Sequence, residues 1–224
     1  MKIPEVRFAM TSDMVNSQTL PVANFHPAEQ HIIEWAAQFL VSGKKFLDIG
    51  AHIGSYAVQY AALGFETVAF EACSETCDLL KMSARLNDLK NIEIRNQALS
   101  FKHHEGVLRK ISKDGGGNSI LNLSTHANPL RSEPVLCRTL DEFGIQNIGF
   151  IKIDVEGAEL DVLKGGLNTL WSSGYPKIIF ESWGEYKMPE AKKLRSDLFD
   201  FLKKIGYQIV NINGCPEMFL AVYE

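Results

Sequence analysis

Residues 44–72 read KKFLDIGAHIGSYAVQYAALGFETVAFEA. A short apolar run, KFLDI, carries Asp48 near its end and meets two glycines, Gly50 and Gly54. A helical stretch, GSYAVQYAALG, follows and closes on Gly64; a second apolar run, ETVAFEA, then brings Glu71 to its end. β-rich runs alternating with helical spacing predict βαβ units and a mainly parallel sheet. In such a sheet ligands bind beyond the carboxyl ends of the strands. The turn from Asp48 to Gly54 and the strand end at Glu71 are therefore the first candidate site.

The alternation continues on both sides of this stretch. SETCDLLKMSARLND predicts a helix with Ser74 as its N-cap, and NIEIRNQAL predicts a third strand. Residues 105–143 then break the pattern with glycines, prolines and polar clusters, which predicts a β-excursion with a flexible turn at KDGGGNSIL. IGFIKIDVEG predicts a fourth main strand, AELDVLKGGLNTLW one helix, PKIIFES a fifth strand, and MPEAKKLRSDLFDFLKKIG an amphipathic helix. YQIVNIN and EMFLAVYE predict the last two strands. The expected fold is α/β: a Rossmann-like, seven-stranded sheet with helices on both faces and a β-excursion after strand three. Residues 1–44 are expected to form an N-terminal segment whose helix, PAEQHIIEWAAQFLVSG, packs on a main domain at 45–224 within one globular unit. The preceding loop VANFH is placed to cap the mouth of the site.

Length and composition bound the function classes. A chain of 224 residues with 46% hydrophobic content supports one sizeable core. Its net charge of -4 gives no reason to expect a polyanion partner, so nucleic acid is not expected. No run of about 18 apolar residues suggests a membrane span, and the N-terminus lacks an apolar leader core. A cytoplasmic location is expected. Cys73, Cys77, Cys137 and Cys215 form neither a CxxC pair nor a zinc spacing and read as reduced thiols.

Two ligand classes use a glycine turn after the first strand. A dinucleotide turn, GxGxxG, would put glycines at His52 and Ser55, and would set a second carboxylate, Asp48, near phosphates. Asp48 instead suits a ligand with a positive end. S-adenosylmethionine has one, in its sulfonium and α-ammonium groups, and Glu71 stands where a ribose-binding acid belongs in either class.

FLDIGAHIG, VAFEA, RTLDEFGIQNIGFIKIDVEGAELDVLKG and PKIIFES, in this order, resemble the FkbM family of S-adenosylmethionine-dependent methyltransferases. The resemblance covers Lys45 to Ser182, and IKIDVEGAELDVLKG is its most specific part. It implies the class I methyltransferase sheet and methyl transfer to a hydroxyl of a sugar, glycan or natural-product small molecule. Carried over by position, Asp48, Gly50, Ala51, His52 and Gly54 line the methionine part of the cofactor. Glu71 holds the ribose, with Ala72 beside it, and Gln97 and Ala98 edge the adenine. Asp154 ends the fourth main strand beside the transferring methyl. His52 stands where the family often has Asn, and Ala72–Cys73 where it often has proline.

Methyl transfer needs an aligned acceptor oxygen and somewhere for its proton to go. Asp154, Glu156 and Glu181 are the candidate catalytic acids, since crowded carboxylates raise one another's proton affinity. Glu159, in the first turn of a helix, is explained by the helix dipole. No metal is implied by the resemblance, although three acids near a hydroxyl could hold Mg²⁺. His103 and His104 point to opposite faces of a strand and are expected at the surface. Trp171 and Trp183 are expected in the core, with sugar stacking the sharper alternative. A nucleic-acid ribose 2′-O-methyltransferase is the competing enzyme reading, but Glu181 stands where one lysine of its Lys-Asp-Lys-Glu set belongs. A non-catalytic S-adenosylmethionine-binding protein is the non-enzyme reading, and the acids at strand four speak against it.

Overall fold

The computed structural model describes residues 2–11, 29–113, 116–184 and 186–224. The VANFH loop lies outside these residues, as do Asp114 and Gly115 of the glycine-rich turn. The main sheet has seven strands: β1 (Lys45–Ile49), β2 (Thr67–Glu71), β3 (Ile92–Asn96), β7 (Ile148–Ile153), β8 (Lys177–Glu181), β9 (Tyr207–Ile212) and β10 (Cys215–Tyr223). Their order is β3-β2-β1-β7-β8-β10-β9. The first five are mutually parallel, while β10 runs antiparallel to both β8 and β9. The predicted seven-stranded α/β fold is therefore present. Among the described residues no helix is long and apolar enough to cross a membrane.

Strand periodicity divides the core into two layers. In β1, Leu47 and Ile49 face one side and Phe46 and Asp48 the other. Leu47 and Ile49 pack with Val68, Phe70, Ile151 and Ile153 against α4 (Glu159–Lys164), α5 (Leu167–Ser172) and α6 (Ala191–Lys204). Phe46 packs with Phe150 and Ile179 against Ile32, Ile33 and Ala36 of α1 (Gln30–Ala36) and Tyr60 of α2 (Ala57–Ala62). Fully burying a side chain such as Phe46 or Phe150 stabilises by about 1.5–3 kcal/mol. The Tyr60 hydroxyl donates to the Ile33 carbonyl at 2.8 Å, so α1 is also tied to α2 by a buried polar contact. Residues 2–11 run beside α3 (Ser74–Leu86), where the Ala9 N–H donates to Ser83 Oγ at 2.9 Å.

Three local expectations need correction. Ser74 is the first residue of α3, not its N-cap; the cap position is Cys73, and no side chain caps the helix. The stretch AELDVLKGGLNTLW forms two short helices, α4 and α5, instead of one. A Cβ on Gly165, at the break, would lie 2.1 Å from the Ser100 carbonyl oxygen, so the chain turns where two segments crowd. The third predicted strand ends at Asn96, and Ala98–Leu99 (β4) leaves the main sheet to pair with β6 (Arg131–Arg138). With β5 (His104–Lys110) these strands form the β-excursion, a second sheet ordered β4-β6-β5. Buried Lys110 pins it to α3, with Glu133 at 2.9 Å and Glu75 at 3.2 Å.

Candidate cofactor and active site

A cleft of about 290 Å³ opens at the carboxyl ends of β1, β2, β7 and β8. The turn after β1 forms its floor through Gly50, Ala51 and His52. Gly50 has φ +75°, and a Cβ there would sit 1.7 Å from the Asp154 carbonyl oxygen. It is thus required by the close approach of the β1 and β7 turns. Gly54, at φ +98°, faces Leu80 and Val58 and does not line the cleft; its small size admits α3. The helix after the turn begins at Ala57 instead of near Gly54.

Asp48 lies beneath this floor. It is fully buried and absent from the cleft lining. Its Oδ2 accepts from the Ala57 N–H at 3.0 Å, satisfying one of the open donors of α2. Its Oδ1 is buried without a hydrogen-bond partner, 3.7 Å from Lys152 Nζ. Burial, only partly offset by Lys152, pushes its carboxyl up to about 6.

Lys152 is the penultimate residue of β7, with 4% exposure. Its ammonium donates to the Gly50 carbonyl at 2.8 Å and lies 3.2 Å from Asp154 Oδ2. Burial alone would lower its proton affinity; the Asp154, Asp48 and Glu29 carboxylates outweigh that and raise it. One buried cation therefore ties the β1 turn to the β7 turn. The sequence carried a signal for it, since a buried parallel strand is normally apolar throughout and a lone Lys in IGFIKID must be paired.

At the end of β2, Glu71 lines the cleft and is held by backbone on both oxygens. Oε2 accepts from the His52 N–H at 2.8 Å and Oε1 from the Cys73 N–H at 2.9 Å. Burial raises its proton affinity, and His52 and these N–H groups offset that only in part. His52 adopts φ +53°, a conformation that costs a non-glycine residue about 1–2 kcal/mol and here aims its N–H at Glu71. Ala72, Gln97 and Ala98 line the adjacent wall with Phe70, Leu99 and Leu108. The Gln97 amide nitrogen donates to the Leu136 and Ala98 carbonyls, which leaves its Oε1 as the atom able to accept.

Across the cleft, Asp154, Glu156 and Glu181 bring carboxylate oxygens within 4.8 Å of one another. All three line the cleft. Burial and the Asp154 charge push the proton affinities of Glu156 and Glu181 well above the carboxylate range. Asp154 Oδ1 is buried without a hydrogen-bond partner. The Trp183 indole N–H donates to Glu181 Oε2 at 2.8 Å, so this tryptophan orients an acid. Glu156 has φ +56°, a second strained residue at the cleft, and its carbonyl accepts from Ser119 Oγ at 2.8 Å. The excursion is thereby docked on the DVEG turn, where Gly116, Gly117 and Asn118 add a wall.

A family model described as the Methyltransferase FkbM domain matches residues 48–209. The chain belongs to the FkbM methyltransferase family. A solved FkbM methyltransferase from Methylobacillus flagellatus is 19% identical with a TM-score of 0.56, covering 96% of this chain and 56% of its own. This chain thus spans about half the length of that structure. A precorrin-6y C5,15-methyltransferase from Geobacter metallireducens is 13% identical with a TM-score of 0.53, covering 97% and 94%. A methyltransferase-type protein from Streptococcus mutans, solved in complex with SAH, is 10% identical with a TM-score of 0.51, covering 86% and 94%. At these identities the likeness establishes a shared fold. No curated protein matches the chain.

The cofactor of this FkbM chain is S-adenosylmethionine, and the cleft fits it by chemistry. An apolar wall for a planar base, a carboxylate at a strand end for a diol, and a floor that is small at Gly50 and Ala51 lie in that order. The far end is acidic and has an unpartnered buried oxygen on Asp154, which suits a cationic centre.

Several residues singled out in the FkbM sequence fall elsewhere. Glu159 is buried under the cleft, where its Oε1 accepts from the Val155 and Gly157 N–H groups at 3.2 and 3.1 Å and so holds the DVEG turn. His103 contacts Glu142 and His104 the Lys102 carbonyl, both away from the cleft. Trp171, expected in the core, is 69% exposed; Trp183 is buried as expected. Besides Lys152, sequence reasoning missed Glu29 and Tyr56, which line the cleft from residues no motif marked.

Proposed function

We propose that this protein transfers the methyl group of S-adenosylmethionine to a hydroxyl oxygen of a sugar, glycan or natural-product small molecule. The observation that carries the reading is the convergence of Asp154, Glu156 and Glu181 at the cleft, with oxygens within 4.8 Å. S-adenosylmethionine supplies an electrophilic methyl on a cationic sulfur. The chain has to hold the donor, align the hydroxyl opposite the sulfur and accept the hydroxyl proton.

Glu71 takes the ribose hydroxyls, and Ala72, Gln97 and Ala98 bound the adenine. Gly50, Ala51 and His52 bed the methionine part. Asp48 and Gly54 serve the cofactor indirectly, Asp48 by capping α2 and anchoring Lys152, Gly54 by admitting α3. Asp154, ion-paired to Lys152, sets a fixed negative charge beside the sulfonium. Glu156 receives the hydroxyl proton, and Glu181, with the highest proton affinity of the set, stays protonated and hydrogen-bonds the acceptor. An acidic cleft also disfavours phosphate-bearing acceptors, which supports a neutral polyol over nucleic acid.

The test is methyl transfer from labelled S-adenosylmethionine to panels of glycosides, phenols, amines and RNA, with and without EDTA. Transfer to a neutral hydroxyl that persists in EDTA is the expected result. Transfer confined to amines or RNA would overturn the acceptor class, and activity that needs Mg²⁺ would make the three acids a cation site.

A further inference from the structure

Glu29 stands directly ahead of α1, outside the stretch that matches the family model, and lines the cleft beside Ser55, Tyr56 and Asp154. Its Oε2 accepts from the buried Tyr56 hydroxyl at 3.0 Å, which fixes the carboxylate against the start of α2. Burial and the Asp154 charge raise its proton affinity, while Lys152 and the Tyr56 hydroxyl lower it. The Lys152 N–H groups already face Gly50, Asp154 and Asp48, so that ammonium is committed to the floor.

The layout of the cleft leaves one place for the amino-acid end of the cofactor. Ribose at Glu71 and sulfonium at Asp154 set a direction from β2 across β1 to β7. Beyond Asp154 the cleft has two walls: the β8 side with Glu156 and Glu181, and the α1/α2 side with Glu29, Ser55 and Tyr56. The acceptor hydroxyl must meet the proton-accepting acids and so occupies the first. The amino-acid end occupies the second. We propose that Glu29 receives the α-ammonium group of S-adenosylmethionine, as a binding residue contributed from outside the methyltransferase motifs. The inference rests on the ribose placement at Glu71 proposed above.

The experiment is calorimetric titration of the full chain and of Glu29→Gln with two ligands. One is S-adenosylhomocysteine, the neutral-sulfur product that keeps the amino-acid end; the other is 5′-methylthioadenosine, also a neutral thioether, which lacks that end. Glutamine keeps an oxygen to accept from the Tyr56 hydroxyl and removes only the charge. The expected result is a loss of S-adenosylhomocysteine affinity on the order of tenfold or more, with methylthioadenosine affinity unchanged. Equal weakening of both ligands would show that Glu29 only holds α1 in place, and weakening of neither would show no contact; both overturn the inference. Glu71→Ala serves as the control for the reading beneath it. If that substitution leaves methylthioadenosine binding intact, the ribose placement falls and this inference with it. No acceptor is present in the titration, so the identity of the acceptor does not enter.

Discussion

The ammonium of Lys152 lies 3.2 Å from the carboxylate of Asp154, inside a parallel strand whose other side chains are mostly apolar. The same ammonium reaches Asp48 at 3.7 Å and the Gly50 carbonyl at 2.8 Å, so the two turns that build the cleft floor share one cation. Removing one member of a buried ion pair leaves the other charge uncompensated. Lys152→Met is expected to lower unfolding free energy by about 3–5 kcal/mol, read from a urea transition. A midpoint within error of the unaltered protein would show that the pair contributes nothing to stability.

Replacement of the converging acids should separate chemistry from binding. Glu156→Gln is expected to reduce methyl transfer about 10²–10⁴-fold while leaving the S-adenosylmethionine dissociation constant within about a factor of three. Single-turnover rates beside calorimetry make the comparison. A parallel loss of binding would assign Glu156 to the cofactor site instead.

The pH dependence has a defined sign. Burial and Asp154 raise the proton affinity of Glu156, so transfer is expected to increase as pH rises and Glu156 loses its proton. Asp154→Asn removes one of the charges that raise it, and the rising limb of the residual activity should move to lower pH. A limb that stays in place in Asp154→Asn would exclude Glu156 as the titrating group.

Glu159 links the site to stability. Burial outweighs its two turn hydrogen bonds and pushes its carboxyl up to about 7. Its folded proton affinity exceeds its unfolded one, so its favourable contribution is complete below about pH 4.5 and is lost as pH rises toward 7. Glu159→Gln should abolish that decline, with the two proteins diverging by on the order of 2 kcal/mol between pH 4.5 and 7.5. Denaturant midpoints measured across this range give the answer, and parallel curves would refute it.

Gly50 offers a steric test. An added Cβ would fall 1.7 Å from the Asp154 carbonyl oxygen, at a φ that L residues avoid. Gly50→Ala is expected to destabilise by several kcal/mol and to displace Asp154, so both the thermal midpoint and transfer should fall. A stable, active Gly50→Ala protein would mean that the β1 and β7 turns are not in close contact.

The sheet was legible because strand and helix periods are local properties. KFLDI, ETVAFEA and IGFIKI alternate or run apolar as buried parallel strands must, and the glycines of the first turn follow at once. The acids at strand ends were legible for the same reason, since in a parallel sheet every strand delivers its last residue to one edge. Position relative to that edge was not legible. Asp48 and Glu71 occupy similar places in their strands, yet Asp48 lies under the floor as a helix cap while Glu71 lines the cleft. That difference comes from depth along one face of the sheet: Asp48 lies level with Ala69, two residues short of Glu71, where α2 covers it and Lys152 stands on the neighbouring strand.

By itself the sequence determined the fold class, the end of the sheet at which the site forms, and the acids available there. Tertiary structure alone decided that Gly50 makes room for backbone and that one lysine neutralises two turns. It likewise brought Glu29, at the cap of the N-terminal helix and in no motif, to the wall of the cleft. Glu29 and Tyr56 are 27 positions apart and Gly50 and Lys152 are 102 apart, and packing sets these relationships, because no local rule of period or propensity acts across that separation.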